Sequence, residues 1–353
     1  MTELGIIEGY FGTPWSWEAR TAVMGLLAPQ RYSFFTYAPK ADAFLRRRWR
    51  EPHPDAELQQ LKTFAQACRA AKVRFGVGLS PYEAYISFDE ATRAALGDKL
   101  TQLDALGLDD LAILFDDMRG DIADLAARQA EMMHFVKTHT NASRIIFCPT
   151  YYTDDPVLDR AFGKRPAHYL EQLGAALDPA IDVFWTGEEV CSREYSVAHL
   201  KRVTGQLKRK PFLWDNYPVN DGARMSQHLH LRGFTGRPAA MGAWLSAHAV
   251  NPALQPLLSC IPALTLAASY ASGDGYAYRA AFRDAAVKVV GQPLATMLDD
   301  DILALQDIGL SRLGSRRASL RERYAAVDHP AAREVVAWLD DAYAITDEAV
   351  KTQ

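Results

Sequence analysis

Cysteine is scarce: four occur in 353 residues, at positions 68, 148, 191 and 260, and no two form a CxxC pair. Cys148 lies within an apolar run. The set reads as reduced thiols rather than a disulfide frame. There is no HExxH, and His228-Leu-His230 lacks the spacing of a helical metal pair, so both histidines read as surface residues and no metal is expected. Basic excess is missing too, since the formal net charge is −4, which argues against a nucleic-acid partner. No apolar stretch reaches membrane-spanning length. The first residues, Met1-Thr-Glu-Leu-Gly-Ile-Ile-Glu8, carry no basic region followed by an apolar run, so the expected setting is cytoplasmic. Repeats and low-complexity segments are absent. Gly76-Val-Gly78 lacks the third glycine of a dinucleotide fingerprint and runs into Pro81.

What is present is an ordinary globular balance, 49% hydrophobic and 23% charged, with short β-branched and aromatic runs alternating with longer patterned stretches. Strands are expected at 4–8, 32–37, 73–79, 111–115, 144–148, 181–185, 211–214 and 240–245. Helical spacing appears at 55–71, where Leu58, Leu61, Phe64, Ala65 and Cys68 share a face, and again at 93–106 and 122–138. Eight such alternations over roughly 250 residues fit a (β/α)8 TIM barrel. Periodicity alone does not close a barrel, so a doubly wound open sheet stays as the alternative. From about Tyr270 the texture changes: Ala271-Ser-Gly-Asp-Gly275 reads as a loop, and 278–289, 294–308 and 331–350 read as helices. The expected organisation is a barrel over 1–270 and a short C-terminal α-helical region over 271–353.

The fourth strand ends in two adjacent carboxylates, Asp116-Asp117. A buried strand does not carry two unpaired charges cheaply, and like charges held close push one pKa up while the other group stays ionised. Other strands also end in polar or aromatic residues: Glu8-Gly9-Tyr10-Phe11, Tyr37-Ala-Pro-Lys40, Pro149-Thr-Tyr151-Tyr152, Thr186-Gly187, Trp214-Asp215-Asn216-Tyr217 with Asp221, and Asn251-Pro252 after the eighth. In a barrel these ends converge on one mouth. Carboxylates, amides, a lysine and aromatic rings are the mixture that holds a sugar.

These segments resemble glycoside hydrolase family 84, the β-N-acetylglucosaminidases. The resemblance rests on Glu8-Gly-Tyr-Phe-Gly-Thr-Pro-Trp15, Tyr37–Lys40 with Trp49-Arg-Glu-Pro52, Asp116-Asp117, Cys148-Pro-Thr-Tyr-Tyr152, Trp185-Thr-Gly187, Trp214-Asp-Asn216 with Asn220-Asp221, and Asn251-Pro252, in order over about residues 5–280. It implies a (β/α)8 barrel that removes terminal β-linked N-acetylglucosamine from a glycan or glycoprotein with retention. The substrate's own acetamido oxygen would act as nucleophile through an oxazoline, with no cofactor or metal. By the same resemblance Asp116 polarises the acetamido N–H, and Asp117 is general acid and then base. Asp221, Asn251, Lys40 and the Gly9 backbone bind hydroxyls. Asn216 holds the acetamido group, and Tyr152 stabilises the oxazoline stage. Trp214 and Cys148 wall the methyl pocket, Thr186 closes the sixth strand, and Val190 lies near the aglycone. The sequence departs from the family in Tyr10-Phe11 (usually Phe-Tyr), in Ala41, Ala43 and Leu45 (usually Asp, Pro and His), and in Tyr151 (commonly Glu).

Plainer readings stand beside these. An isolated Asp-Asp is more often a solvated turn or helix cap, and Asp109-Asp110, at the opposite barrel end, reads as such a turn. Lys40 by default is exposed, Trp214 core, and Cys148 a small core residue rather than a reactive thiol. Arg46-Arg-Arg-Trp-Arg50 reads as a solvated loop with local ion pairs. Tyr151 and Tyr152 point to opposite faces, so one of them reaches the mouth. Two competing functions are a non-catalytic N-acetylglucosamine receptor and a metal-dependent deacetylase. The absent histidine cluster weighs against the second. The sequence leaves the natural aglycone and homo-oligomerisation open.

Overall fold

The computed structural model describes residues 2–346 and 353. Eight parallel strands close into a barrel in sequence order: β1 (Leu4–Glu8), β2 (Tyr32–Tyr37), β3 (Arg74–Leu79), β4 (Asp110–Leu114), β5 (Arg144–Cys148), β6 (Asp182–Trp185), β7 (Phe212–Asp215) and β8 (Ala247–Val250). Closure pairs Leu4 with His248. Around them run α1 (Trp17–Leu27), α2 (Asp55–Ala70), α3 (Glu90–Asp104), α4 (Leu125–His139), α5 (Val157–Phe162), α6 (Tyr169–Ala176), α7 (Val197–Leu207) and α8 (Pro256–Ser272). Side chains start several of these helices: Ser16, Asp89 and Ser196 accept from the backbone three residues on, which satisfies donors the first turn leaves free. The face of α2 buries Leu61, Phe64, Ala65 and Cys68, as its spacing requires. This is a (β/α)8 TIM barrel.

The eighth strand is displaced from its expected place. Residues 239–244 form a 3₁₀ helix, and the strand is Ala247-His-Ala-Val250. The apolar residues at 241–245 made the better strand signal. However, Gly242 packs so closely on Thr2 that an added Cβ would come within 2.0 Å. The true strand was disguised by His248, which is fully buried between Asp215 (3.0 Å) and the Tyr270 hydroxyl (3.0 Å). Strands 3 and 6 start one residue later than expected, strand 4 is shifted by one residue toward the N-terminus, and strand 7 by one toward the C-terminus.

Asp109 and Asp110 are not a solvated turn. Asp110 is fully buried and paired with Arg74. Arg74 also binds Glu3, which binds Arg144, which binds Asp182. Asp109 accepts the Phe75 N–H at 2.9 Å. A chain of alternating charge thus runs across the end of the barrel opposite the mouth.

C-terminal to α8 lie α9 (Tyr278–Asp300), a π-helical turn at 303–308, α10 (Arg316–Ala325) and α11 (Pro330–Leu339). Two helices expected at 278–289 and 294–308 are one element, kinked at Gly291 (φ 75°) just before Pro293, followed by the separate turn. α10 went unread because it is rich in Arg and buries only Leu320 and Tyr324. α11 stops at Leu339, short of the expected 350, and the last part of that expected helix, 347–350, lies outside the described residues. These elements brace the barrel mouth. Trp338 Nε1 donates to the Ser226 carbonyl (3.0 Å), and Leu229 N–H to Leu305 (3.0 Å). His228 and His230 are not free surface groups: one contacts the Gln306 carbonyl through Nδ1 (2.7 Å), the other Pro218 (2.9 Å).

Glu334 on α11 reaches the N-terminus of α8 and accepts the N–H groups of Leu257 (2.9 Å) and Leu258 (3.0 Å). Burial nevertheless pushes its carboxyl up to about 7. A group raised above its unfolded value of about 4.5 contributes stability below that value and loses it as pH rises through the folded one. The difference corresponds to about 3 kcal/mol. We expect thermal stability to fall between about pH 4.5 and pH 7, and Glu334→Gln to flatten that segment of a melting-temperature profile.

Candidate active site

At the C-terminal ends of the strands is an open-mouthed cavity of about 240 Å³. Its walls contain all twelve residues singled out from sequence: Gly9, Lys40, Asp116, Asp117, Cys148, Tyr152, Thr186, Val190, Trp214, Asn216, Asp221 and Asn251. Phe11, Cys191, Val219 and Gly222 also line it and were missed. Adjacency carried the signal for all four: Cys191 follows Val190, Gly222 follows Asp221, and Phe11 lies two residues beyond Gly9. Val219 lies two residues before Asp221, an equally weak signal.

The floor is the carboxylate pair at the end of β4. Asp116 is 6% exposed, and its Oδ2 pairs with the ammonium of Lys40, itself 3% exposed and not the surface lysine expected by default. Asp116 Oδ1 is buried without a hydrogen-bond partner among the described residues. Such an orphan acceptor is costly unless something fills it. Asp117 takes a left-handed backbone, φ 58°, that few non-glycine residues adopt. This conformation sits where the strand gives way to the loop. Burial, and next the charge of Asp116, push the Asp117 carboxyl above its ordinary range. The Tyr152 hydroxyl makes a long contact to Asp117 Oδ1 at 3.4 Å. The pair is therefore unsymmetrical: one member is ion-paired and keeps an unpartnered acceptor, the other gives up its proton at higher pH than an ordinary aspartate.

The side walls are held by side-chain amides. Asn216 Oδ1 accepts from Trp214 Nε1 and Asn251 Nδ2 (2.9 Å each), and its Nδ2 donates to the Val190 carbonyl (2.8 Å). Asn251 Oδ1 accepts the Gly9 N–H (3.2 Å). A Cβ on Gly9 would come within 2.2 Å of the Trp214 ring, so only glycine lets β1 and β7 approach here. Asp221 Oδ2 accepts the Phe11 N–H (2.9 Å), and burial raises this carboxyl to about 6. The inverted Tyr10-Phe11 order has a local cause. Tyr10 turns inward to donate to Glu8 (2.8 Å), which Arg20 grips through two hydrogen bonds (2.7 and 2.8 Å), leaving Phe11 to face the cavity. Tyr151 is fully buried and donates to the Gly163 carbonyl, so Tyr152 is the tyrosine that reaches the mouth.

Below Trp214 and Asn216, Asp215 is fully buried, gripped by Arg237 (2.7 and 2.9 Å) and His248. It fixes the end of β7. Arg46 and Trp49, in the stretch expected to be solvated, are 3% and 2% exposed. Arg46 lies over the Phe11 and Tyr82 rings, while Arg48 and Glu51 form the surface pair expected of that loop.

A family model described as beta-N-acetylglucosaminidase matches residues 4–303. The chain belongs to the β-N-acetylglucosaminidase family. This family is one of glycoside hydrolases, and the match spans the whole barrel and reaches into the π-helical turn after α9. The chain is 28% identical over 277 residues to the mouse Protein O-GlcNAcase and 29% identical to the rat protein, covering 76% of this chain and 30% of each relative. It thus spans less than a third of the length of those curated relatives. Among solved structures, a mutant of the Thermobaculum terrenum O-GlcNAc hydrolase superimposes with a TM-score of 0.79 at 27% identity, over 96% of this chain and 80% of that one. Among the described residues of this family member, no helix is long and apolar enough to cross a membrane, and no cluster of three or more His, Cys, Asp or Glu could hold a metal ion.

Proposed function

We propose that this chain is a retaining exo-β-N-acetylglucosaminidase that uses its substrate's acetamido group as the nucleophile. The observation that carries the reading is the buried, unpartnered Oδ1 of Asp116 beside a raised Asp117 carboxyl. A ring bearing a 2-acetamido group offers an N–H to that oxygen. The hydrogen bond pulls electron density toward the acetamido carbonyl, whose oxygen attacks the anomeric carbon. As that bond forms, the glycosidic C–O bond breaks and the leaving oxygen takes the proton of Asp117. The product is a cyclic oxazoline. Its developing positive charge is stabilised by Asp116, and Tyr152 bonds the carbonyl-derived oxygen. Asp117, now ionised, takes a proton from water as the water oxygen attacks the same carbon and reopens the ring. The sugar leaves with its configuration retained. This class departs from the usual two-carboxylate scheme, which supplies the nucleophile from the protein.

Asp221 and Asn251 are assigned to the ring hydroxyls, Lys40 to holding Asp116 in place, and Trp214 with Cys148 to the wall around the acetamido methyl. The aglycone would be a protein or peptide carrying O-linked N-acetylglucosamine, by likeness to the named relatives. Three cysteines, 68, 148 and 260, are buried and unpaired, which suits the reducing cytoplasm. The test is turnover of 4-nitrophenyl N-acetyl-β-D-glucosaminide against 4-nitrophenyl β-D-glucoside. We expect the first to be cleaved and the second, lacking the acetamido group, to be cleaved at least about 10³-fold more slowly. Comparable rates on both would sink the reading. Binding of N-acetylglucosamine without any turnover would favour a receptor.

A further inference from the structure

Beyond the wall formed by Cys191 and Asn216 lies a second cavity of about 530 Å³, also lined by Arg193, Arg224, Arg232, Arg237 and Tyr278. Cys191 and Asn216 belong to both cavities, so the two are neighbours across one partition. Thr186 ties the groove to the general-acid side of the sugar cavity: its N–H donates to the Tyr152 carbonyl (2.9 Å) and its hydroxyl to the carbonyl of Glu189 (3.2 Å), which lines the groove, while the Tyr152 hydroxyl reaches Asp117. An aglycone departing from Asp117 past Tyr152 meets this groove.

The groove's charges are unevenly compensated. Arg237 is neutralised by Asp215, and Arg232 pairs with Asp307 through one nitrogen while its Nε is buried with no hydrogen-bond partner. Arg193 and Arg224 are exposed, and among the described residues neither side chain has a hydrogen bond or ion pair. Among the described residues, Glu189 is the one acid that lines the groove. Its nearest chain neighbours, Glu188 and Glu194, do not line the groove. Guanidinium groups favour carboxylates because two parallel N–H donors match two oxygens. A wall of this kind raises the local concentration of anions and repels cations.

We propose that this groove seats the polypeptide that carries the sugar and selects acidic sequence, with aspartate or glutamate flanking the glycosylated serine or threonine. The inference rests on the reading of the neighbouring cavity as the N-acetylglucosamine site. The aglycone backbone follows the groove from the partition, and its flanking carboxylates pair with Arg193 and Arg224.

The experiment uses three N-acetylglucosaminyl-serine peptides of one length, flanked by glutamate, glutamine or lysine. Values of kcat/KM are measured for wild type, Arg224→Gln and the double variant Arg193→Glu/Arg224→Glu. For wild type we expect the glutamate peptide to exceed the lysine peptide by about tenfold, with added salt narrowing the gap. We expect the gap to shrink in Arg224→Gln and to invert in the double variant. Equal kcat/KM across the series in wild type overturns the inference, as does a preference that neither variant alters. In either case, turnover of 4-nitrophenyl N-acetyl-β-D-glucosaminide by wild type leaves the proposed activity standing. Failure on the aryl glycoside and on every peptide overturns both.

Discussion

Asp117→Asn is expected to lower kcat/KM on a glycopeptide by about 10³-fold, within the range general acid catalysis supplies, while costing far less on 4-nitrophenyl N-acetyl-β-D-glucosaminide. The difference follows from the leaving group. A serine alkoxide cannot depart without a proton, whereas a nitrophenolate is stable enough to leave unaided. The same substitution removes the base that activates water in the second step. With the aryl substrate, the intermediate should therefore accumulate, and kcat and KM should fall together. Azide needs no base, and adding it should restore turnover and yield the β-glycosyl azide. The pH profile carries a further sign. Asp117 must hold its proton to act as acid, and burial and the Asp116 charge raise its pKa. Activity should hold below that raised value and fall above it, and the alkaline limb should vanish in the variant. An equal loss on both substrates, with no azide rescue, would show that Asp117 is not the acid.

Asp116→Asn should behave differently. Its task is to hold the acetamido N–H and to face the positive charge that grows at the anomeric carbon. Neither depends on the leaving group. We expect a loss of about 10²- to 10³-fold on aryl and peptide substrates alike, no rescue by azide, and an alkaline limb still present. The Lys40 ammonium, which in wild type pairs with Asp116 Oδ2, would be left buried opposite a neutral amide. Part of the loss would then be structural. A melting curve separates that part, because the catalytic defect should persist at temperatures where the variant is fully folded. A loss confined to poor leaving groups would exchange the two roles.

Much of the site could be read from the sequence because the barrel repeats one rule: residues just past each strand face the mouth. Asp116-Asp117, Tyr152, Asn216 and Asn251 obey it, and the cavity brings them together. The eighth strand escaped because apolarity was the signal, and its central residue is a buried histidine. The partners that make His248 tolerable, Asp215 and Tyr270, lie 33 and 22 positions away, and no local pattern reports such a pairing. Arg237 supports the β7 end from a loop in the same hidden way. At the other barrel end, Asp110 looked like a turn because Arg74, Glu3, Arg144 and Asp182 come from three other strand starts and the segment before β1. Ion networks of this kind are three-dimensional, whereas hydrophobic periodicity is local. α10 is the converse case, a helix whose surface is almost wholly polar and which is held by only two buried side chains.

The most direct measurement is kcat/KM on 4-nitrophenyl glucosaminides whose N-acyl group is acetyl, fluoroacetyl, difluoroacetyl or trifluoroacetyl. Each fluorine withdraws electrons from the acyl oxygen without changing the leaving group. If that oxygen is the nucleophile, log kcat/KM should fall steeply and linearly across the series, by about a factor of ten or more per fluorine (about 1.4 kcal/mol of barrier each). A flat series would mean that a protein group or water attacks the anomeric carbon. It would contradict both the acetamido oxygen as nucleophile and Asp116 as the group that polarises it.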